Sequence, residues 1–219
     1  MAIKVHHLER SRSHRVLWLL EELGVDYTLE TYARDPKTML GPPELKKVHP
    51  LGKSPLLEHD GRVFAESANI LEHLVEAHGG RFRPAPSTPE HERYRFFMHY
   101  AEGSLMPLML LQLVLGRIEG APVPFFLKPV TKSIAGKARS AFAQPQSELH
   151  LGYVNAELAK STWLCGEELS AADIQMSFPL EAALSRVEGA SVPHVRAFIE
   201  RCRARPAYQT ALEKGGPVL

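Results

Sequence analysis

Residues 13–23 include Val16, Leu17, Trp18, Leu19, Leu20 and Leu23, apolar nearly all the way round a helical projection, and Gly24 follows. A helix without a polar face has to be buried on more than one side. A glycine at that point suits the left-handed residue that ends many helices. The flanking segments read as strands: Ile3, Val5 and Leu8 before the helix, Tyr27 to Tyr32 after it. Strand, buried helix and strand in this order predict a parallel pair joined by a right-handed crossover, with more structure needed on the helix's far side.

The next stretch supplies some of it. Residues 33–48 read as loop with a short helix around Pro43–Lys47. Leu56–Glu58 and Val63–Ala65 flank His59-Asp60-Gly61-Arg62, and Asp-Gly between short strands is a strong hairpin signal. Ser67 to His78 carries Ile70, Leu71, Leu74 and Val75 at helical spacing, closed by Gly79-Gly80. In Lys53-Ser54-Pro55 a proline stands where the first hairpin strand begins, a bend that cannot donate to a ladder. A cis bond there would turn the backbone N–H and C=O of Ser54 outward, toward a ligand. Glu66-Ser67 follows at the start of the next helix.

Three prolines in residues 81–89 stop both helix and central strand, and this is the expected linker. Everything beyond reads helical, roughly 90–118, 128–150, 153–161, 170–188, 193–203 and 207–214, with kinks expected at Pro107 and Pro179. Ser170-Ala171-Ala172-Asp173 has the form of a capping box, with Leu169 and Ile174 as its hydrophobic staple. The fold class is therefore α/β followed by all-α: a thioredoxin-like unit over 1–80, a linker over 81–89 and a helical domain over 90–219.

Composition narrows the function. Apolar content of 44% and charged content of 23% suit a soluble globular chain. A net charge of +1 gives no electrostatic case for nucleic acid or an anionic membrane. The longest apolar candidate, Leu105 to Leu115, is shorter than a bilayer span and is interrupted by Pro107 and Gln112. Two cysteines, Cys165 and Cys202, do not make a disulfide scaffold, and a reducing cytoplasm is expected. The eleven histidines are scattered without metal-ligand spacing, so neither a metal nor another cofactor is expected.

Four ordered segments carry a family resemblance: Ser11-Arg12-Ser13-His14-Arg15-Val16-Leu17-Trp18-Leu19-Leu20-Glu21-Glu22-Leu23-Gly24, Pro50-Leu51-Gly52-Lys53-Ser54-Pro55-Leu56-Leu57-Glu58, Glu66-Ser67 and Leu169-Ser170-Ala171-Ala172-Asp173-Ile174. Over essentially its full length the chain resembles the cytosolic glutathione S-transferases, most of all serine-type bacterial and fungal members. The resemblance implies a homodimer. It also implies glutathione as co-substrate, held mainly by the first domain, and a small hydrophobic electrophile held mainly by the helical one.

Glutathione's thiol, with a pKa of about 8.5, is only a few per cent ionised at neutral pH. Lowering that value by one unit takes about 1.4 kcal/mol, and one hydrogen bond to the thiolate supplies roughly 1.5–3 kcal/mol. A single hydroxyl at a helix N-terminus therefore suffices. The resemblance assigns this role to Ser11, four residues before Arg15, with Ser13 as second choice and helix capping as the plain role of the other serine. It has Ser54 pair through its backbone with the cysteinyl part, beside Pro55. Lys53 would sit near a carboxylate, or be a solvated loop charge. Ser67 would offer N–H and hydroxyl to the γ-glutamyl carboxylate, and Glu66 would pair with the amine.

Glu102 reads as a surface charge, although some relatives place an acidic residue there across a dimer interface. Tyr94, Phe97, Met98, Met106 and Met109 either line the electrophile pocket or form core. Neither cysteine stands where cysteine-type relatives carry their nucleophile. The rival readings are a glutathione-dependent peroxidase or isomerase, and a non-catalytic binding module on the same fold.

Overall fold

The computed structural model describes residues 2–187 and 189–219. Strands β1 (Ile3–Leu8), β2 (Thr28–Tyr32), β3 (Leu56–His59) and β4 (Arg62–Ala65) form one sheet in the order β2-β1-β3-β4. β1 and β2 run parallel across helix α1 (His14–Leu23), while β1–β3 and β3–β4 are antiparallel. The β3–β4 turn falls on Asp60 and Gly61, both at positive φ, as a tight Asp-Gly hairpin requires. Gly24 ends α1 in the left-handed region at φ 69°, and its N–H returns to Leu20 and Glu21. Helices α2 (Leu45–Val48) and α3 (Ser67–Ala77) complete the first unit. The Ser54–Pro55 bond is cis.

After the proline-rich stretch come α4 (Pro89–Tyr100), α5 (Met106–Glu119), α6 (Lys128–Ala138), α7 (Gln144–Leu158), α8 (Ala171–Arg186), α9 (Pro193–Arg203) and α10 (Pro206–Gly215). α1 is buried as its composition demands. Its residues Val16 to Leu20 have no exposed surface, because α3, α8 and α10 all pack on it. One hydrophobic cluster runs unbroken from Val5 and Leu57 in the sheet to Ile174 in α8 and Tyr208 in α10.

Two helix boundaries are corrected. The predicted break near residue 151 is absent, and helix continues from Lys128 to Leu158. Gly152 weakens a helix by only about 1 kcal/mol, and Leu151, Val154 and Leu158 are all buried. At Pro107 the chain forms a π-helical turn, Ala101–Leu105, just ahead of the proline. The wider turn absorbs the carbonyl that proline cannot satisfy. Arg139–Ala143 stands in the same relation to Pro145. α8 continues through Pro179 to Arg186, whereas the expected helix ran to 188, a position outside the described residues.

The first π turn makes Pro89–Glu119 one 31-residue helical run, long and apolar enough to cross a membrane by length and composition. Here its apolar side packs into the core through Tyr94, Phe97, Met98, Leu105 and Met109.

The capping box at the start of α8 is present. Asp173 has no exposed surface, and its Oδ2 accepts from the Ser170 N–H (2.9 Å) and hydroxyl (2.7 Å). Its Oδ1 accepts from the Leu164 N–H at 2.8 Å, which ties the 159–170 loop to the helix. Burial pushes this carboxyl up to about 6 against those donors. Leu169 and Ile174 are both buried as the staple.

Candidate functional site

A cavity of about 250 Å³ lies between the end of the Lys53–Pro55 turn and the start of α3. Lys53, Ser54, Pro55, Glu66 and Ser67 all line it, together with Arg12, His49, Glu102 and the apolar Leu51, Leu56 and Ala65. Segments separated in sequence are brought together because β3 and β4 form a hairpin that returns the chain to its starting edge.

Each wall is held by identifiable bonds. The Ser54 hydroxyl donates to the His6 carbonyl at 2.9 Å and accepts from the Leu8 N–H at 3.2 Å. The side chain thereby fastens the turn to β1. Glu66, at the N-cap of α3, has φ 70°. A non-glycine residue in that region costs of order 1–3 kcal/mol and recurs at binding sites. Its carbonyl starts the helix by accepting from the Ile70 N–H at 2.9 Å.

Ser67 is buried and does not cap α3. Its hydroxyl accepts from Arg15 Nη1 at 2.9 Å. Arg15 has no exposed surface, and the same Nη1 also reaches Glu102 Oε1 (2.7 Å) and Gln175 Oε1 (3.0 Å). Burial lowers the Arg15 pKa to about 10, and Glu102 opposes that shift.

Glu102 is therefore no plain surface charge. Arg12 Nε donates to both its carboxylate oxygens at 3.0 Å. Burial pushes the Glu102 carboxyl up, but Arg15 and Arg12 outweigh it and hold the group below its ordinary value. The π turn preceding Pro107 carries Glu102 on its first coil. Sequence spacing linked Arg15 only to Ser11, and no local signal paired it with Glu102 or Ser67.

Neither candidate serine lines this cavity, and both are buried. Their hydroxyl oxygens are 2.7 Å apart, and the Ser13 N–H donates to Ser11 Oγ at 3.2 Å. Ser13 stands at the start of α1 but its side chain makes no capping bond, which corrects the capping expectation. It turns instead to His7 Nδ1 at 2.8 Å and to the Leu8 carbonyl at 3.2 Å. Ser11 is 7% exposed and Ser13 fully enclosed, so Ser11 is the one nearer the surface.

Tyr94, Phe97, Met98, Met106 and Met109 are all in the hydrophobic core, where they pack rather than line this cavity. α4 and α5 both pack against α8. Cys165 and Cys202 are free and buried, and burial pushes both thiols up. Among the described residues no group of three or more His, Cys, Asp or Glu could hold a metal ion.

Residues 11–77 match the family described as Glutathione S-transferase, N-terminal domain, and residues 123–206 its C-terminal domain. The chain is 36% identical to Glutathione S-transferase 3 of Schizosaccharomyces pombe, over 97% of this chain and 87% of that protein. It is 33% identical to Glutathione S-transferase 1 of Saccharomyces cerevisiae, over 97% and 94% respectively. The crystal structure of a glutathione S-transferase from Actinobacillus pleuropneumoniae superposes with a TM-score of 0.80 at 32% identity, over 97% of this chain and 92% of that one. With the thioredoxin-like sheet, the helical second domain and these relatives in agreement, the chain belongs to the glutathione S-transferase family of enzymes.

Proposed function

We propose that this enzyme conjugates reduced glutathione to small hydrophobic electrophiles, a detoxifying activity, by holding the thiol as thiolate at Ser11. One observation carries the reading: Lys53, Ser54, Pro55, Glu66 and Ser67 line a single cavity that Arg12 also lines, and Ser11 is the residue before Arg12 in the chain. The N-terminus of α3 offers free N–H groups and a helix dipole to the γ-glutamyl carboxylate, with the Ser67 hydroxyl set by Arg15. Glu66 takes the amine, Lys53 a carboxylate. The Ser54 side chain is spent on β1, which leaves its backbone to pair with the cysteinyl unit like an added strand. The thiolate is stabilised by one hydroxyl and the start of α1, and no metal takes part. Two unpaired cysteines fit a cytoplasmic setting.

Ser11→Ala is expected to lower kcat/KM for glutathione with a chloronitrobenzene by about ten- to a hundredfold, the worth of one charge-assisted hydrogen bond. Steady-state kinetics beside Ser13→Ala check this, and unchanged turnover in Ser11→Ala sinks the assignment.

The same reading includes a homodimer. Phe96 and Tyr153 pack edge to face on the outer side of α4 and α7, both at least 40% exposed, and Leu149 beside them is 65% exposed. An apolar face of this kind on a folded chain is a docking surface, and a second copy is the occupant proposed. Sedimentation equilibrium is expected to return twice the chain mass of 24.4 kDa; a monomer at micromolar concentration would refute it.

A further inference from the structure

A hydrogen-bonded chain leads away from Ser11 into the protein and ends on the last turn of α10. Ser11 Oγ is 2.7 Å from Ser13 Oγ, Ser13 Oγ is 2.8 Å from His7 Nδ1, and His7 Nε2 is 2.7 Å from the Gly215 carbonyl oxygen. A carbonyl can only accept, so His7 Nε2 must carry a hydrogen. In neutral His7 the other nitrogen, Nδ1, is then an unprotonated acceptor, and it accepts a hydrogen bond from the Ser13 hydroxyl. Ser13 Oγ in turn is free to receive the Ser11 proton. The resting chain therefore runs as a line of acceptors from the thiol end toward His7.

α10 can approach this closely only because residue 215 is glycine. A Cβ there would stand 2.6 Å from Leu17 Cδ1 and 3.0 Å from His7 Cε1.

We infer that Ser11 and Ser13 form a two-hydroxyl relay that delivers the thiol proton of bound glutathione to His7 Nδ1. The inference rests on the reading of Ser11 as the hydroxyl at the thiol. In the step, the S–H bond breaks and its proton goes to Ser11 Oγ. The Ser11 proton passes to Ser13 Oγ and the Ser13 proton to His7 Nδ1. The products are a thiolate and an imidazolium, with no change in oxidation state. Afterwards every hydroxyl points the other way, so that Ser11 donates to the thiolate and His7 donates to Ser13.

Burial outweighs the Gly215 carbonyl and Glu9, just beyond β1, and holds His7 below its ordinary value, so it takes a proton only against a charge that favours the imidazolium. His14 on α1, pushed down to about 3 by burial, stays neutral beside it. Lys214 on α10 is turned away to Glu21. An ordinary imidazole is a weaker base than a free thiolate by roughly a hundredfold, and the burial of His7 widens that gap. The thiolate left behind attracts the imidazolium across the two hydroxyls and works against that deficit.

The test mixes the protein with reduced glutathione near neutral pH in weak buffer, following thiolate by its ultraviolet absorbance and released protons by an indicator dye. The wild type is expected to release fewer protons than it forms thiolates. His7→Gln keeps a donor for Gly215 and His7→Asn keeps an acceptor for Ser13, but neither carries a basic nitrogen. In whichever of them binds glutathione by calorimetry, protons released should equal thiolates formed. The thiolate fraction should also fall by about tenfold, equivalent to one pH unit. One proton per thiolate in the wild type, or a wild-type thiolate titration in the variants, overturns the relay. Ser11→Ala separates the two readings: if it abolishes the thiolate and the His7 variants do not, the relay alone fails, whereas if Ser11→Ala leaves the thiolate intact, both fail.

Discussion

Glu102→Ala is expected to destabilise the fold by about 3 kcal/mol and to raise KM for glutathione more than it lowers kcat. Glu102 is the only carboxylate paired with Arg15 among the described residues, and Arg15 has no exposed surface. Breaking a buried ion pair by removing one partner typically costs about 3–5 kcal/mol, because the remaining charge is left uncompensated. The lower end applies here, since the Glu102 side chain keeps 29% of its surface and is partly screened. The effect on binding follows from Ser67, whose hydroxyl is held by the same Arg15 nitrogen. Urea denaturation with an unchanged slope would read the stability, and steady-state kinetics the KM.

Glu102→Gln keeps an oxygen for Arg15 and should lose less. It also gives a pH test. The folded-state pKa of Glu102 lies below its ordinary 4.5, so its contribution is complete above that value. It is lost as pH falls through the lower, folded value. Glu102→Gln should therefore flatten part of the acid arm of the stability curve; an acid arm identical to wild type would show that the pair contributes nothing.

The second large effect is expected at Asp173. Asp173→Ala removes the acceptor for the Ser170 N–H and hydroxyl and for the Leu164 N–H, all buried. A lost cap costs about 1 kcal/mol, and each orphaned buried donor about 1–3 kcal/mol. At the lower end of those ranges the cap and the three donors come to about 4 kcal/mol, a large share of the roughly 5–15 kcal/mol that holds a typical domain together. Much of the variant should accumulate as insoluble protein, and the soluble part should melt well below wild type by calorimetry. Asp173→Asn keeps one acceptor oxygen and should fall between the two. A melting temperature for Asp173→Ala within a few degrees of wild type would show that the 159–170 loop does not depend on this carboxylate.

The Asp173 box was legible in sequence because both partners lie within one helical turn. The same is true of Gly24, of the Asp60-Gly61 hairpin and of the bend at Pro55: each depends on the backbone preferences of a few neighbouring residues. The buried character of α1 was legible for a related reason, since its missing polar face is a local fact with a tertiary consequence. The five aromatic and methionine residues of α4 and α5 were ambiguous, because apolar periodicity is the same whether a face meets a ligand or another helix. Continuity across residue 151 was misread because Gly152 weakens a helix locally, whereas the burial of its neighbours is a tertiary gain.

By itself, then, the sequence determined the strand and helix order, the turn chemistry, the family and the residues that gather at the cavity. Tertiary structure alone decided which charges and hydroxyls meet. Arg15 and Glu102 are 87 positions apart, and His7 and Gly215 are 208 apart. The role of each is set by a partner that the fold delivers from outside its own segment. A charge or an imidazole carries no local mark of its future partner, and burial turns such a pairing from a small surface effect into one that governs stability and proton position.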